Sequence, residues 1–158
     1  MQGLDAIQSS HDVSSFDCGN PLLNDWLKRR ALANHSGGAT RCYVVTQANA
    51  VVAYYAMSAG AVAASQATGN VKRNMPDPIP VLVLARLAID QRYQSQGLGK
   101  ALLKDAVLRA MRVARDVGVW ALLVHAIDSS AEAFYLKHGF GASPMAPLTL
   151  MLRLPEIA

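Results

Sequence analysis

The sequence has little of what a secreted, membrane-spanning or metal-binding protein usually needs. Of its 158 residues only two are cysteines, Cys18 and Cys42, which are too few for a disulfide framework or a zinc site. The first 15 residues have neither a basic start nor a long apolar stretch, and nowhere do 18 apolar residues follow one another. We therefore expect a cytoplasmic protein with no membrane span, no metal and two inert thiols.

The composition is that of an ordinary globular protein. Apolar residues make up 52% of the chain and charged residues 16%, and no repeat, low-complexity tract or charge run is present. This predicts a single domain over residues 1–158. Fifteen basic against eleven acidic residues give a net charge of +4, which hints at a polyanionic partner.

Periodicity and turn residues predict an α/β (α+β) fold. Asn20 and Pro21 are typical of a helix start, and Gly37 and Gly38 of its end. The order that follows is a hairpin (42–46 and 51–57, turn 47–49), a loop (68–80), a central strand (81–89), an amphipathic helix (97–117), a strand (120–126), a short helix from 128 or 129 to 137 or 138, and a last strand (148–154). The strands on either side of the amphipathic helix should be parallel neighbours in a βαβ unit.

A glycine-containing segment at the start of the amphipathic helix is typical of phosphate binding. Gln94, Gly97 and Gly99 fit the pattern Gln/Arg-x-x-Gly-x-Gly/Ala where a strand gives way to a helix. Glycines there allow close approach of a ligand, and the first N–H groups and dipole of a helix attract phosphate. A Walker loop and a dinucleotide fingerprint are disfavoured, because Ala101 follows Lys100 and position 102 is not glycine. A turn that needs glycine only for its geometry is the alternative.

Residues 84–90 (LARLAID), followed by 94–103 (QSQGLGKALL), resemble the acetyl-CoA-binding motif of the GNAT superfamily. The resemblance implies a GNAT fold, a mixed central sheet with a βαβ acetyl-CoA-binding unit and flanking helices. It implies that the pantetheine arm runs along the backbone of Leu87, Ala88 and Ile89. It also implies that the pyrophosphate is bound by Gln94, Ser95, Gln96, Gly97, Leu98, Gly99 and Lys100.

Residues 129–140 (SSAEAFYLKHGF) are similar to the second cofactor segment of the same superfamily. The resemblance implies that Phe134 contacts the cofactor and that Tyr135 protonates the departing CoA thiolate, a role suited to a phenol with a pKa near 10. The alternative is that Tyr135 only packs in the core. His138 stands beside Gly139 at a helix end and is assigned no catalytic role.

The N-terminal part resembles the toxin GNATs of the TacT and AtaT type, in residues 16–20 (FDCGN), 23–27 (LNDWL) and 29–31 (RRA) and in Arg41 leading into 43–45 (YVV). The resemblance implies that the acceptor is the α-amino group of an aminoacyl-tRNA, that acetylation blocks translation, and that a ribbon-helix-helix antitoxin and a homodimer exist. Candidate phosphate contacts are the basic residues Lys28, Arg29, Arg30, Arg41, Lys72, Arg73, Arg86 and Arg92. Arg86 interrupts an apolar strand and should have a partner or ligand.

No Asp, Glu or His stands out as a general base beside the cofactor motifs. This favours an α-amino acceptor, with a pKa near 8 or below, over a lysine side chain, with a pKa near 10.4. The amine would attack the thioester while N–H groups of residues 87–89 polarise the carbonyl. Two alternatives remain. The first is a GNAT enzyme that acts on a small amine or a protein N-terminus. The second is a CoA-binding module without turnover, and the motif residues present in the sequence disfavour it: Gln94, Gly97, Gly99 and Tyr135.

Overall fold

The computed structural model describes residues 1–154, so the last four residues of the predicted domain lie outside the described part. The strands are β1 (Gln2–Ala6), β2 (Arg41–Gln47), β3 (Ala50–Val62), β4 (Ile79–Ile89), β5 (Ala121–His125), β6 (Gly141–Ala142) and β7 (Thr149–Arg153). The helices are α1 (Pro21–Arg29), α2 (Ala31–Gly37), α3 (Gly69–Lys72), α4 (Leu98–Asp116) and α5 (Ser129–Lys137). None of the helices in residues 1–154 is both long and apolar enough to cross a membrane.

The strands form one mixed sheet in the order β1-β2-β3-β4-β5-β7-β6. β4 and β5 are parallel, paired from Val81↔Ala121 to Leu84↔Val124, and α4 connects them in sequence. β1 with β2, β2 with β3, and β7 with both β5 and β6 are antiparallel. The predicted βαβ unit and the mixed sheet are therefore confirmed.

The predicted hairpin is β2 and β3, joined by Ala48 and Asn49. Both residues have positive φ angles, 48° and 68°. Two-residue hairpin turns require such angles, because only then does the turn match the right-handed twist of the two strands. β3 continues to Val62, beyond the predicted end at residue 57. β3 therefore contributes residues to both of the compact units described below.

The N-terminal helical region begins as predicted but is divided. The Asn20 side chain accepts hydrogen bonds from the amides of Leu22 and Leu23, at 2.9 and 3.4 Å, and so caps α1. Arg30 has φ −124°, which interrupts the helical geometry between α1 and α2. Gly38, with φ 81°, ends α2 in the left-handed conformation that favours glycine.

Two compact units are distinguished within the chain, residues 1–58 with 85–106 and residues 59–84 with those from 107 onward. In the first unit, Tyr54 stacks on Trp26 with ring centroids 5.8 Å apart and meets the edge of Phe16 at 5.5 Å. The core of the second unit contains Val62, Ala67, Val71, Ile79, Val81, Ala121, Leu123 and Met151. The single domain over residues 1–158 stays a prediction.

Three short elements were not predicted from the sequence: β1, β6 and α3. The segment 68–80, predicted to be a loop, contains α3 and the first residues of β4, so this prediction was wrong in part. Val71 of α3 is fully buried, and its packing in the second core explains why these few residues form a helical turn.

Candidate active site

Asp90, directly after β4, organises the turn that leads into the predicted phosphate-binding segment. Its carboxylate, in a residue only 1% exposed, accepts hydrogen bonds from Arg92 Nε at 3.0 Å and Nη2 at 3.1 Å. The backbone amides of Arg92 and Asp17 donate to it at 3.0 and 3.1 Å. Burial raises the pKa of Asp90, but these hydrogen bonds and the Arg92 charge outweigh burial and hold the pKa below its usual range. The carboxylate therefore remains ionised and fixes the turn.

Gln94 connects the start of the segment to two other parts of the first unit. Its side-chain amide donates to the carbonyl of Ile89 at 2.8 Å and to that of Cys18 at 3.1 Å. The amide of Gln91 donates to the carbonyl of Asp17 at 2.9 Å. We call residues 17–18 the N-terminal brace, because they hold residues 90–94 through three contacts. Sequence reasoning missed the brace, since its contacts run through backbone atoms that no motif reveals.

The segment 95–100 presents consecutive backbone N–H groups at the start of α4. Ser95 and Gly97 have positive φ angles, 64° and 85°. Within residues 1–154, no hydrogen-bond acceptor meets the amides of residues 95–100, whereas the next amide, that of Ala101, donates to the Gly97 carbonyl at 3.1 Å. A helix start with unpaired amides and a positive dipole end is suited to a pyrophosphate, and the exposed Lys100 adds a charge there.

The last residues of β4, where the pantetheine arm is predicted to bind, form an extended strand segment beyond the registered pairs with β5. Registered pairs between β4 and β5 end at Leu84, and β4 continues for a further five residues to Ile89. An extended strand segment without a β5 partner can form main-chain hydrogen bonds to a ligand that lies beside it as an added strand. Leu87, Ala88 and Ile89, the predicted pantetheine residues, lie in this segment.

Tyr135 lies on α5, in the second unit, and is 7% exposed. Its ring contacts Phe134 and Phe140, with centroids 5.2 and 5.4 Å away. Burial raises the pKa of Tyr135 from its ordinary value of 10.0 to about 12. The phenol is therefore a firmly protonated hydrogen-bond donor at neutral pH, and a weaker acid than expected in the absence of ligand.

Of the eight basic residues predicted to contact tRNA phosphates, two have a side-chain partner that the fold explains, and the other six are exposed on the surface. Arg86 has its guanidinium 4.3 Å from the centroid of Trp26, which confirms that a charge in this strand has a partner. Arg92 is paired with Asp90, although 61% of its side chain is exposed. The remaining six are exposed: Lys28, Arg29, Arg30, Arg41, Lys72 and Arg73.

Both cysteines are free, and their environments suppress the thiolate. Cys42 is fully buried, and burial raises its pKa to about 12. Burial also raises the pKa of the half-buried Cys18. The prediction of two inert thiols is consistent with this, because the thiolate is the reactive form. In residues 1–154 no group of three or more His, Cys, Asp or Glu residues is arranged to hold a metal.

Comparison with known proteins identifies the class of enzyme. Residues 38–141 match the profile described as "Acetyltransferase (GNAT) domain", and the chain belongs to this family. It is an acetyl-CoA-dependent acyltransferase. The chain is 47% identical over 150 residues to a tRNA-acetylating toxin of Mycobacterium tuberculosis, an alignment that covers 95% of this chain and 90% of the relative.

Solved structures of the AtaT toxin are similar over nearly the whole chain. AtaT complexed with acetyl-methionyl-tRNAfMet superposes with a TM-score of 0.88 at 25% identity, covering 96% of this chain and 94% of that chain. A tyrosine-to-phenylalanine mutant of AtaT, bound to the C-terminus of the antitoxin AtaR and to acetyl-CoA, has a TM-score of 0.82 at 25% identity, with 96% and 92% covered. The fold that the sequence resemblance implied is thereby confirmed.

Proposed function

We propose that this protein is a toxin that transfers the acetyl group of acetyl-CoA to the α-amino group of an aminoacyl-tRNA and so blocks translation. The observation that carries the proposal is the 47% identity to a tRNA-acetylating toxin across 95% of the chain. That match extends beyond residues 38–141, which the general acetyltransferase profile covers, and includes most of the N-terminal region. The similarity to that toxin therefore includes a region outside the general acetyltransferase profile.

The cofactor is held by main-chain groups at two places in the first unit. Residues 95–100 donate their amides to the pyrophosphate, and the β4 backbone at 87–89 bonds the pantetheine arm. Gln94 contributes through its side chain by fixing the turn, since its amide is engaged with the Ile89 and Cys18 carbonyls. Removing a hydrogen bond of this kind costs about 0.5–1.5 kcal/mol.

The chemical step is an aminolysis of the thioester. The neutral α-amine attacks the carbonyl carbon, the oxygen develops negative charge beside N–H groups of residues 87–89, and the C–S bond breaks. Tyr135 donates a hydrogen bond and then its proton to the departing CoA sulfur. The amine loses a proton to solvent, and the Tyr135 phenolate takes one up from solvent, which restores the enzyme. With a pKa of about 12, Tyr135 is always protonated when turnover begins at neutral pH.

The acceptor RNA binds through the exposed basic residues. Lys28, Arg29 and Arg30 are consecutive at the end of α1, and all three are exposed, so they can contact phosphates. Arg41, Lys72 and Arg73 add to the positive surface. Arg86 and Arg92 contact RNA in the same proposal, in addition to their contacts with Trp26 and Asp90. A tRNA substrate also places the reaction in the cytoplasm.

The partners follow from the same family of toxins. We propose that a ribbon-helix-helix antitoxin neutralises the protein and that the toxin forms a homodimer. The complexes of AtaT with the C-terminus of AtaR support an antitoxin partner. Size-exclusion chromatography with light scattering, with and without a candidate ribbon-helix-helix antitoxin, tests both assignments.

A transfer assay with labelled acetyl-CoA tests the function directly. Charged total tRNA, deacylated tRNA, polyamines and N-terminal peptides are offered side by side. We expect label only on charged tRNA, and we expect its release when the aminoacyl ester is hydrolysed. Label on polyamines or peptides alone would agree with an acyltransferase activity but would contradict aminoacyl-tRNA as its acceptor.

A further inference from the structure

His125, the last residue of β5, carries an exposed polar side chain that the proposed reaction does not use. The four residues before it in the strand, 121–124, are all buried. The change coincides with the end of strand pairing, because the last registered pair between β4 and β5 joins Leu84 to Val124. His125 is therefore the first residue of β5 beyond the paired part of these two parallel strands.

The position of His125 in the sheet is one where substrates commonly bind. Ligands of open α/β sheets bind outside the carboxyl ends of the parallel strands. β4 and β5 form a parallel pair, and His125 lies at the carboxyl end of β5. Only residues 126–128 separate it from α5, which contains Tyr135, the proposed proton donor to the CoA sulfur. His125 and Tyr135 also belong to the same compact unit.

The hydroxyl of Thr149 orients the His125 imidazole. Thr149 lies opposite His125 in the antiparallel pair of β5 and β7, and its Oγ1 is 3.0 Å from the Nδ1 atom of His125. Thr149 is only 6% exposed, and within residues 1–154 its hydroxyl has no other hydrogen-bond partner. Because a buried hydroxyl hydrogen needs an acceptor, the Thr149 hydroxyl donates to Nδ1.

This hydrogen bond determines which ring nitrogen of His125 carries the hydrogen. A neutral imidazole that accepts a hydrogen bond at Nδ1 has its hydrogen on Nε2. No acceptor within the described part of the chain meets that Nε2–H group. His125 therefore offers an exposed and oriented N–H donor, which is suited to an oxygen atom of a substrate.

The backbone around Thr149 holds this pair of side chains in place. The Thr149 carbonyl accepts from the Ser143 amide at 2.8 Å, and the Thr149 amide donates to the Ala146 carbonyl at 3.3 Å. The amide of Ala126, next to His125, donates to the Leu148 carbonyl at 2.7 Å. A donor that the fold already holds in place loses little conformational entropy when a substrate binds.

We propose that the Nε2–H of His125 donates a hydrogen bond to the ester carbonyl of the aminoacyl group, an inference that rests on the proposed function. The carbon of this carbonyl is bonded to the α-carbon that bears the attacking amine, so the contact orients the amine for attack. Only charged tRNA contains the ester, so the contact also distinguishes it from deacylated tRNA. Thr149 is a positioning residue that acts through His125. His125 transfers no proton, and the amine still loses its proton to solvent.

The test uses three replacements of His125 in the full-length protein, which differ in the ring nitrogen that they imitate. His125→Ala removes both nitrogens, His125→Asn keeps a polar group only at the position of Nδ1, and His125→Gln places an amide N–H as far from the backbone as Nε2. Thr149→Val removes the positioning hydroxyl, and Thr149→Ser keeps it. His11→Ala is the matched control, because its Nδ1 also accepts a hydrogen bond, from the Gln8 amide at 3.0 Å. Circular dichroism melts check that each variant is folded.

We expect His125→Ala and His125→Asn to lower kcat/KM for charged tRNA by about 10-fold, and His125→Gln to lower it by less than about 3-fold. Thr149→Val should lower kcat/KM by about 3-fold, whereas Thr149→Ser and His11→Ala should stay within about 2-fold of wild type. In every variant the Kd for deacylated tRNA, from fluorescence anisotropy, and the Kd for acetyl-CoA, from calorimetry, should change by less than about 2-fold. A general loss of structure would raise both of these Kd values.

Several outcomes would overturn the proposal, and they differ from a failure of the proposed function. If the wild type acetylates charged tRNA and His125→Ala does so equally well, His125 does not contact the substrate. If the Kd for deacylated tRNA rises as much as kcat/KM falls, His125 contacts the RNA instead of the ester. If His125→Gln is as impaired as His125→Ala, an N–H donor is not what the reaction needs at this position. If the wild type acetylates no charged tRNA, the proposed function and this inference are both wrong.

Discussion

The side-chain amide of Gln94 donates a hydrogen bond of 2.8 Å to the carbonyl of Ile89, the last residue of β4. One side chain thereby fixes the distance between the strand proposed to bind pantetheine and the segment proposed to bind pyrophosphate. The Gln94 side chain therefore has a structural role within the protein, and the predicted contact of Gln94 with the pyrophosphate stays a prediction.

Replacing Gln94 by alanine should therefore weaken cofactor binding without a direct loss of chemistry. Two hydrogen bonds are removed, to Ile89 and to Cys18. We expect the Kd for acetyl-CoA, measured by isothermal titration calorimetry, to rise about 10-fold, with kcat at saturation within about 3-fold of wild type. Gln96→Ala is the matched control, because its side chain has only a 3.4 Å contact to the Arg92 carbonyl. Equal losses in both variants would contradict the bracing role.

Tyr135→Phe should separate binding from turnover. The hydroxyl is lost, while the ring contacts with Phe134 and Phe140 are kept. We expect kcat to fall by about 10²-fold or more and the Kd for acetyl-CoA to change by less than about 2-fold. Tyr93→Phe, at a half-buried position near Arg92, controls for removal of a phenol. Undiminished turnover in Tyr135→Phe would exclude it as the proton donor.

Charge reversal at Arg29 and Arg30 should weaken tRNA binding in a salt-dependent way. If both contact phosphates, the slope of log K against log salt should become shallower by about 2 for the double glutamate variant. Both residues are exposed, so folding should be retained. A double variant at Arg112 and Arg115, exposed positions of α4, makes the same change in net charge. Indistinguishable slopes for the two double variants would remove Arg29 and Arg30 from the RNA surface.

The buried thiol of Cys42 predicts a loss of stability in alkaline solution. The pKa of the Cys42 thiol rises from 9.0 to about 12 on folding. The stabilisation that comes from the protonated thiol in the folded state is therefore complete below pH 9 and is lost as the pH rises toward 12. Between pH 8 and pH 10 the free energy of unfolding of the wild type should fall by about 1.4 kcal/mol relative to Cys42→Ala. Urea unfolding at both pH values measures this difference. If the free energies of unfolding of the two proteins differed by the same amount at pH 8 and at pH 10, the thiol would have the same pKa in the folded and unfolded states.

Local signals in the sequence were sufficient for the elements that form through neighbouring residues. The turn at Ala48 and Asn49, the cap at Asn20 and the apolar periodicity of α4 each act over a few positions. They predicted the hairpin, the start of α1 and the parallel β4 and β5. The helix start beside Gly97 and Gly99 was predicted for the same reason, and phosphate binding there stays a prediction.

Elements that depend on distant partners could not be predicted in the same way. β1 is largely exposed and exists because Asp5 and Ala6 pair with Val44 and Tyr43 of β2. The break at Arg30 also lacks a sequence signal, because arginine is a good helix former.

The N-terminal brace also has a thermodynamic consequence. Residues 17–18 hold residues 90–94 and lead directly into α1, whose last turn contains Lys28 and Arg29. A ligand that orders α1 would reduce the conformational entropy that the cofactor segment still has to lose. RNA and acetyl-CoA should then bind cooperatively, and each should tighten the other by the same factor.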